Sequence, residues 1–93
     1  MLNIQTRQEG TASVVSIQGK VNFEVTAQLR DVIRETVATA QPKLLAINLE
    51  GVSFIDSSGL GLLVAARNSV DKSGGKLHLC CLPAPVKKTF DQT

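Results

Sequence analysis

The first forty residues show two different hydrophobic patterns. Residues 2–8 and 12–17 are short segments containing Val, Ile and Thr on either side of Glu9-Gly10, which predicts two strands joined by a tight turn. From Phe23 to about Thr39, apolar residues recur every three or four positions, as in an amphipathic helix facing a core. They are Val25, Leu29, Val32, Ile33 and Val37. The helix is predicted to end before Pro42, because the residue preceding a proline favours extended geometry.

The second half begins with a nearly continuous apolar segment, Leu44 to Leu49. Such a segment predicts a strand in the sheet centre, covered on both faces. Residues 51–58 are interpreted as a connection to a second helix, which stops at Gly74-Gly75. The apolar positions of that helix are Leu60, Leu63, Val64 and Val70.

A further apolar strand is predicted from Leu77 to Leu82. Strand, helix and strand in this order form a right-handed crossover between parallel strands. The first turns of a third helix are indicated by Val86, Thr89 and Phe90. The pattern therefore predicts an α/β fold: a small mixed sheet, made of an N-terminal hairpin plus parallel strands, with helices packed against it.

Length and composition favour one globular domain over residues 1–93. Hydrophobic residues make up 43% of the chain and charged residues 19%, which is enough apolar surface to offset the entropy lost on folding. A net charge of +2 and aromatic residues limited to 3 Phe argue against nucleic acid as a partner. The sequence contains no basic leader and no apolar stretch long enough to cross a bilayer, so we expect a cytoplasmic protein without a membrane partner.

The cysteines, Cys80 and Cys81, are neighbours within the last apolar segment. Successive side chains of a strand point to opposite faces, so the two thiols are not expected to bond to each other. Such cysteines suit a reducing compartment. Without a companion His/Cys cluster they do not make a zinc site, and no metal is predicted.

The segment Asp56-Ser57-Ser58-Gly59-Leu60-Gly61 is predicted to lie where a buried strand ends and the second helix begins. In open α/β sheets, reaction and ligand sites collect at this end of the strands. Asp, Ser and Gly are also common helix caps, and residue type alone favours this structural role over a reaction site. A serine in the first helical turn is exposed, and the helix dipole accommodates a phosphate there. Capping and phosphorylation are compatible at one position.

Cofactor and enzyme sites find little support in the motif. Gly59 and Gly61 give G-x-G, but Val64 stands at the third small position of a dinucleotide fingerprint. The two glycines therefore either leave the helix start bare for a partner or serve packing alone. The lone histidine, His78, lies within a predicted strand, and no Ser-His-Asp set or carboxylate pair is spaced for catalysis. No cofactor and no enzymatic activity are predicted.

The run from Ile47 to Gly61 closely resembles the signature of STAS domains, specifically those of bacterial anti-sigma factor antagonists. It combines an apolar strand, the Asp-Ser-Ser-Gly-Leu-Gly turn and the helix that follows. Residues 19–22 with 27–29 resemble the family's segment entering its first helix. Residues 74–77 resemble its approach to the last strand. The resemblance covers nearly the whole chain and implies the same mixed sheet with packed helices.

The resemblance implies a switch by serine phosphorylation. In the family, the serine corresponding to Ser58 is phosphorylated by a partner that is both a serine kinase and an anti-sigma factor. The unmodified protein binds that partner, which releases the sigma factor, and a serine phosphatase restores the protein. We expect the partner to dock over the helix start and the preceding loop. The expected contact residues are Asp56, Ser57, Ser58, Gly59, Leu60, Gly61, Asn22 and Phe23.

Two departures from the family pattern are visible. The family often has an aspartate where this chain has Asn22, so we expect kinase contact or phosphate handling to differ from that of the family. The chain also stops at Thr93, where family members continue through a packed helix, so we expect either a trimmed chain or a minimal member.

Two other functions remain open at this point. One is a STAS scaffold or regulatory subunit of a multiprotein complex or transporter, which does not act on a sigma factor. The other is a small nucleotide hydrolase.

Overall fold

The computed structural model describes residues 2–82, together with Ala84 and Lys87. Within these residues, four strands form one sheet in the order β1-β2-β3-β4, with two helices between them. The elements are β1 (Asn3–Glu9), β2 (Ala12–Val21), α1 (Thr26–Ala40), β3 (Leu44–Ile55), α2 (Ser57–Lys72) and β4 (Lys76–Cys80). The predicted third helix, at Val86, Thr89 and Phe90, lies outside the described residues.

The predicted mixed sheet is confirmed. β1 and β2 form an antiparallel hairpin in which Glu9 pairs with Ala12, so Gly10 and Thr11 make the turn. Gly10 has φ 63°, a conformation that two-residue hairpin turns demand and glycine adopts without strain. β3 is parallel to β2 on one side and to β4 on the other, which confirms its central position.

The core lies on one face of the sheet, against both helices. The fully buried strand residues alternate along the chain, as the two-residue period of a strand requires. They are Ser13, Val15, Ile17 and Val21 in β2 and Leu45, Ile47 and Leu49 in β3. The predicted coverage of both faces of β3 is wrong, because the alternating residues Leu44, Ala46 and Asn48 are only half-buried. The helices contribute Leu29 and Ile33 from α1 and Leu60, Leu63, Ala66 and Val70 from α2.

The helix boundaries differ from prediction mainly at the start of α1. The helix begins at Thr26, three residues later than expected, because the side chain of Asn22 accepts the N–H of Glu24 at 3.1 Å and holds the chain in a turn. At its other end α1 stops at Ala40, before Pro42 as predicted. The helix α2 ends at Lys72, and Gly74 then turns the chain with φ 88°.

β3 is longer than predicted, and this extension positions the motif. Residues 51–55, expected to be a connection, continue the strand, and Val52 and Ile55 are buried. β2 follows β3 along this extension by shifting register twice, between Ser16 and Gln18 and between Gly19 and Lys20. The last strand pair, Val21 with Ile55, therefore brings the ends of β2 and β3 side by side.

Candidate functional site

Asp56 caps the start of α2. It follows β3 in an extended conformation, with φ −103° and ψ −177°, and its carboxylate accepts the backbone N–H of Gly59 at 3.0 Å. The same oxygen, Oδ1, accepts the hydroxyl of Ser58 at 2.6 Å. The capping role predicted for this segment thus belongs to Asp56. Ser58 is the second residue of the helix, and its hydroxyl is held by the cap.

The surroundings of Asp56 stabilise its negative charge. The pKa of this carboxyl lies below its ordinary value of 3.8, first because the Ser58 hydroxyl donates to it and next because the Gly59 N–H does. The backbone N–H groups of Phe23 and Ser58 also lower the pKa, and desolvation opposes them. The positive end of the α2 helix dipole also favours a negative charge at this position. The site therefore carries a fixed negative charge beside the Ser58 oxygen.

The loop after β2 is joined to the helix start through Asp56. The N–H of Asp56 donates to the carbonyl oxygen of Val21 at 3.1 Å, and the backbone N–H of Phe23 is among the groups that lower the pKa of the Asp56 carboxyl. The side chain of Asn22 is used within the loop, where it accepts the Glu24 N–H. The structure thus brings the segments of the predicted contact residues together, with Asp56 at their junction.

The residues of the motif differ in their exposure to solvent. Ser57 and Gly61 are exposed, Ser58 is half-buried, and Gly59 and Leu60 belong to the buried side of the helix. Phe23 is 72% exposed, which is unusual for a large apolar side chain. Ser58 is therefore partly accessible, directly after the exposed Ser57 at the helix start.

The glycines take the two roles that the sequence left open. A Cβ atom at Gly59 would lie 2.7 Å from Ile55 Cγ1 and 2.8 Å from Val21 Cγ1, so Gly59 allows the helix to pack on the ends of the two strands. At Gly61 an added Cβ meets nothing within 4 Å. Gly59 serves packing, whereas Gly61 leaves the outer side of the helix bare.

Comparison with known proteins agrees with this architecture. The family model described as "STAS domain" matches residues 3–93. The chain belongs to the STAS domain family. The anti-sigma-B factor antagonist of Bacillus subtilis is 32% identical over 92 residues, which cover 99% of this chain and 83% of that protein.

Solved structures establish the fold of this STAS domain. An anti-sigma factor antagonist from Mycobacterium paratuberculosis has a TM-score of 0.88 at 24% identity, covering 99% of this chain and 77% of that one. SpoIIAA in its unphosphorylated form has a TM-score of 0.84 at 23% identity, over 97% of this chain and 79% of that one. The Bacillus protein SpoIIAA in its phosphorylated form has a TM-score of 0.74 at 22% identity, over 97% and 81%.

Two exposed apolar residues of the STAS domain were missed by sequence reasoning. Phe54, 47% exposed, pairs with Lys20 one step before the end of β3. Val64, predicted to face the core, is 59% exposed, and Ala66 is buried in α2 instead. The exposure of Phe54 follows from its place directly before Ile55, because neighbouring side chains of a strand point to opposite faces and Ile55 is buried. The sequence placed Val64 in the core because it is apolar, whereas the buried side of α2 runs through Leu63 and Ala66.

Other candidate chemistry is sparse in the described part of the chain. His78 is an exposed residue of β4. Residues 2–82, 84 and 87 contain no group of three or more His, Cys, Asp or Glu side chains that could hold a metal ion. Neither of the helices within these residues is long and apolar enough to cross a membrane.

Proposed function

We propose that this chain, as a single STAS domain, is an anti-sigma factor antagonist that is inactivated by phosphorylation of Ser58. In its unmodified form it binds an anti-sigma factor that is also a serine kinase, and this binding frees the sigma factor. A serine phosphatase reverses the modification. The protein acts by binding and is not itself a catalyst. Its curated relative in Bacillus subtilis, named for the same function, supports this proposal.

The observation that carries the proposal is the position of the Ser58 hydroxyl. Ser58 is a half-buried residue in the first turn of α2, and its hydroxyl donates a hydrogen bond to Asp56 Oδ1 at 2.6 Å. This bond leaves the oxygen lone pairs free to attack the terminal phosphate of ATP held by a kinase. A phosphate on this oxygen is placed at the positive end of the helix dipole, so the helix does not have to unfold.

Phosphorylation changes the charge of the surface. A phosphoserine adds about −1.5 to −2 charges at neutral pH, and at Ser58 these stand next to the ionised Asp56. A partner that covers the unmodified helix start must then desolvate two neighbouring anions or withdraw. A penalty of about 1–3 kcal/mol reduces affinity roughly 5- to 150-fold, which is sufficient for a switch.

The proposed docking surface consists of the outer side of the α2 start and the loop that contains Asn22 and Phe23. Phe23, 72% exposed, offers an aromatic anchor of the kind that dominates protein interfaces. At Gly61 the helix surface is open to close approach. Asp56 and Ser57 add polar groups to the surface, next to Ser58 in the chain.

The test combines phosphorylation with binding. The purified chain is incubated with bacterial anti-sigma factors of the serine-kinase type and ATP, and the modified residue is mapped by mass spectrometry. We expect one phosphate, on Ser58. Binding of the responding kinase is then measured for Ser58→Asp, which places a negative charge at the same position. Its affinity is expected to fall roughly 5- to 150-fold.

Ser69→Asp is the matched control. Ser69 is an exposed residue of the same helix, eleven positions further on, which is about three turns and ~16 Å along the same side. It receives the same charge away from the proposed surface and should bind like the wild type. Phosphate on another residue, or equal losses in the two variants, would refute the proposed switch at Ser58.

A further inference from the structure

An apolar cavity between α1 and α2 takes no part in the proposed switch. This inter-helix cavity has a volume of about 290 Å³, close to the lower end of the range for small-molecule sites, about 300–1,000 Å³. Its deeper part is formed by Ile33 from α1 and Ala66 from α2, which are buried, together with the half-buried Val37 and Leu62. The cavity therefore offers an apolar interior to a small ligand.

Two arginines of α1 border the inter-helix cavity. Arg30 and Arg34 are exposed and four positions apart, so they are neighbours on the helix surface. Within the described part of the chain, the ion pair of Arg30 is a long contact of 3.8 Å with Asp31, and Arg34 has none. Like charges at this spacing destabilise a helix. An anion bound between the two guanidinium groups would remove that repulsion.

The charge of the two arginines is not balanced within the cavity. Its described lining consists of the two arginines, six apolar residues and one serine. The larger cavity between α2 and β4 differs, because its lining includes Asp71 as well as Arg67 and Lys76, and that carboxylate repels an anion. The inter-helix cavity thus favours a ligand with an apolar body and a negatively charged end.

The dimensions of the inter-helix cavity favour a small molecule over a partner helix. On α1 its lining runs from Arg30 to Ala38, which is about 12 Å along the helix axis. A partner helix of average length, about 10–14 residues, is longer than this. A second copy of the chain is also disfavoured, because a two-fold interface over the cavity would place Arg30 and Arg34 opposite the same arginines of the other copy.

A fatty-acid anion of medium length has the required chemistry. Arginine binds a carboxylate through two parallel N–H bonds, and an aliphatic tail is stabilised when it leaves water for an apolar cavity. We propose that the inter-helix cavity binds a medium-chain fatty-acid anion, with the carboxylate at Arg30 and Arg34 and the tail in the apolar interior.

The experiment titrates the purified protein with sodium octanoate at neutral pH by isothermal titration calorimetry, and locates the ligand by amide NMR shifts. We expect one octanoate per protein, with shifts centred on residues 30–38 and 62–69. Octanol has the same tail without the charge and should bind about tenfold more weakly or worse. Equal binding of octanol and octanoate, shifts centred on residues 76–79, or no binding would each overturn the site.

Glutamine variants test the role of the two charges. The double variant Arg30→Gln with Arg34→Gln keeps good helix formers at both positions and should weaken octanoate binding about tenfold or more. The matched control is Arg67→Gln with Lys72→Gln, which removes two charges from α2 outside the described lining of the inter-helix cavity. This control should bind octanoate like the wild type, and equal losses in the two double variants would contradict recognition by Arg30 and Arg34.

Ala65→Leu tests the apolar interior without changing a charge. Ala65 is an exposed lining residue, so a larger side chain there fills space in the cavity and not in the buried core. Octanoate binding should weaken about tenfold or more, while circular dichroism shows a folded protein. A folded Ala65→Leu variant with unchanged affinity would place the ligand elsewhere and refute the proposal.

Discussion

At the scale of single residues, Asp56 decides how the site is arranged. Its carboxylate accepts the Gly59 N–H at 3.0 Å and the Ser58 hydroxyl at 2.6 Å, and its backbone N–H donates to the Val21 carbonyl at 3.1 Å. One residue therefore caps α2, orients the hydroxyl proposed as the phosphorylation site and joins the end of β2 to the helix start. The pKa of Asp56 therefore reports whether these hydrogen bonds are formed.

Replacing Ser58 by Ala should raise the pKa of Asp56. The Ser58 hydroxyl is the largest of the influences that keep this pKa below 3.8, and its loss brings the pKa closer to the ordinary value. Carboxyl carbon NMR shifts followed through an acid titration measure the change. Ser57→Ala, which alters the exposed neighbour, is the control and should leave the titration of Asp56 as in the wild type. An identical titration of Asp56 in wild type and Ser58→Ala would show that the hydroxyl does not bond to it.

The direction of the shift also fixes a dependence of stability on pH. Because the pKa of Asp56 is lower in the folded chain than its ordinary value of 3.8, its ionisation favours folding above that value. This contribution disappears as the pH falls through the lower, folded pKa. In Ser58→Ala the difference between the two values is smaller, so less stability should be lost on acidification.

At the scale of elements, the start of α2 depends on how closely the helix approaches the strand ends. Gly59 faces Ile55 and Val21, whereas Gly61, two residues later, faces open space. Replacing each glycine by alanine therefore separates two effects on the free energy of unfolding. Closer packing at Gly59 lowers it, whereas higher helix propensity raises it at both positions.

Gly59→Ala should destabilise the fold and Gly61→Ala should stabilise it. Overpacking against the branched side chains of Ile55 and Val21 costs about 1–3 kcal/mol, which outweighs the gain of about 0.5–1 kcal/mol in helix propensity. At Gly61 only the gain of about 0.5–1 kcal/mol remains. Urea unfolding followed by circular dichroism gives both free energies. A stabilising Gly59→Ala would mean that the helix lies further from the strands than the structure places it.

At the scale of the whole molecule, the site lies at the end of the sheet and outside the core. The core side chains come from the sheet face covered by α1 and α2, whereas Ser58 and Phe23 lie beyond the strand ends at the surface. A change of charge at Ser58 can therefore alter binding without altering the packing that holds the domain together.

Ser58→Asp should thus leave the fold intact. We expect changes in the amide NMR spectrum to be confined to residues 22–25 and 56–62, and the chain to stay folded with a free energy of unfolding lowered by about 0.5–1.5 kcal/mol, the cost of one lost hydrogen bond. Shifts spreading into β4, or an unfolded spectrum, would show that Ser58 has a structural role and would make the loss of binding uninformative.

The sequence predicted most of the fold because its periodicities are strong. The hairpin, both helices, the mixed sheet and the central position of β3 are confirmed. The errors have two causes, one tertiary and one local. β3 continues to Ile55 because β2 stays paired with it through two register shifts. The start of α1 is late because the side chain of Asn22 bonds to the N–H of Glu24, a turn that hydrophobic periodicity does not show.

Residue type and order by themselves determined which elements form and where the motif lies, since hydrophobic period, turn residues and capping residues act over a few positions of the chain. Only the tertiary structure decided which glycine packs and which is bare, and that Asp56 joins the end of β2 to the helix start. It also decided that Cys80 and Cys81 do not continue a common strand. These features depend on contacts between segments distant in sequence, or on where a strand ends in space, and no local pattern encodes them.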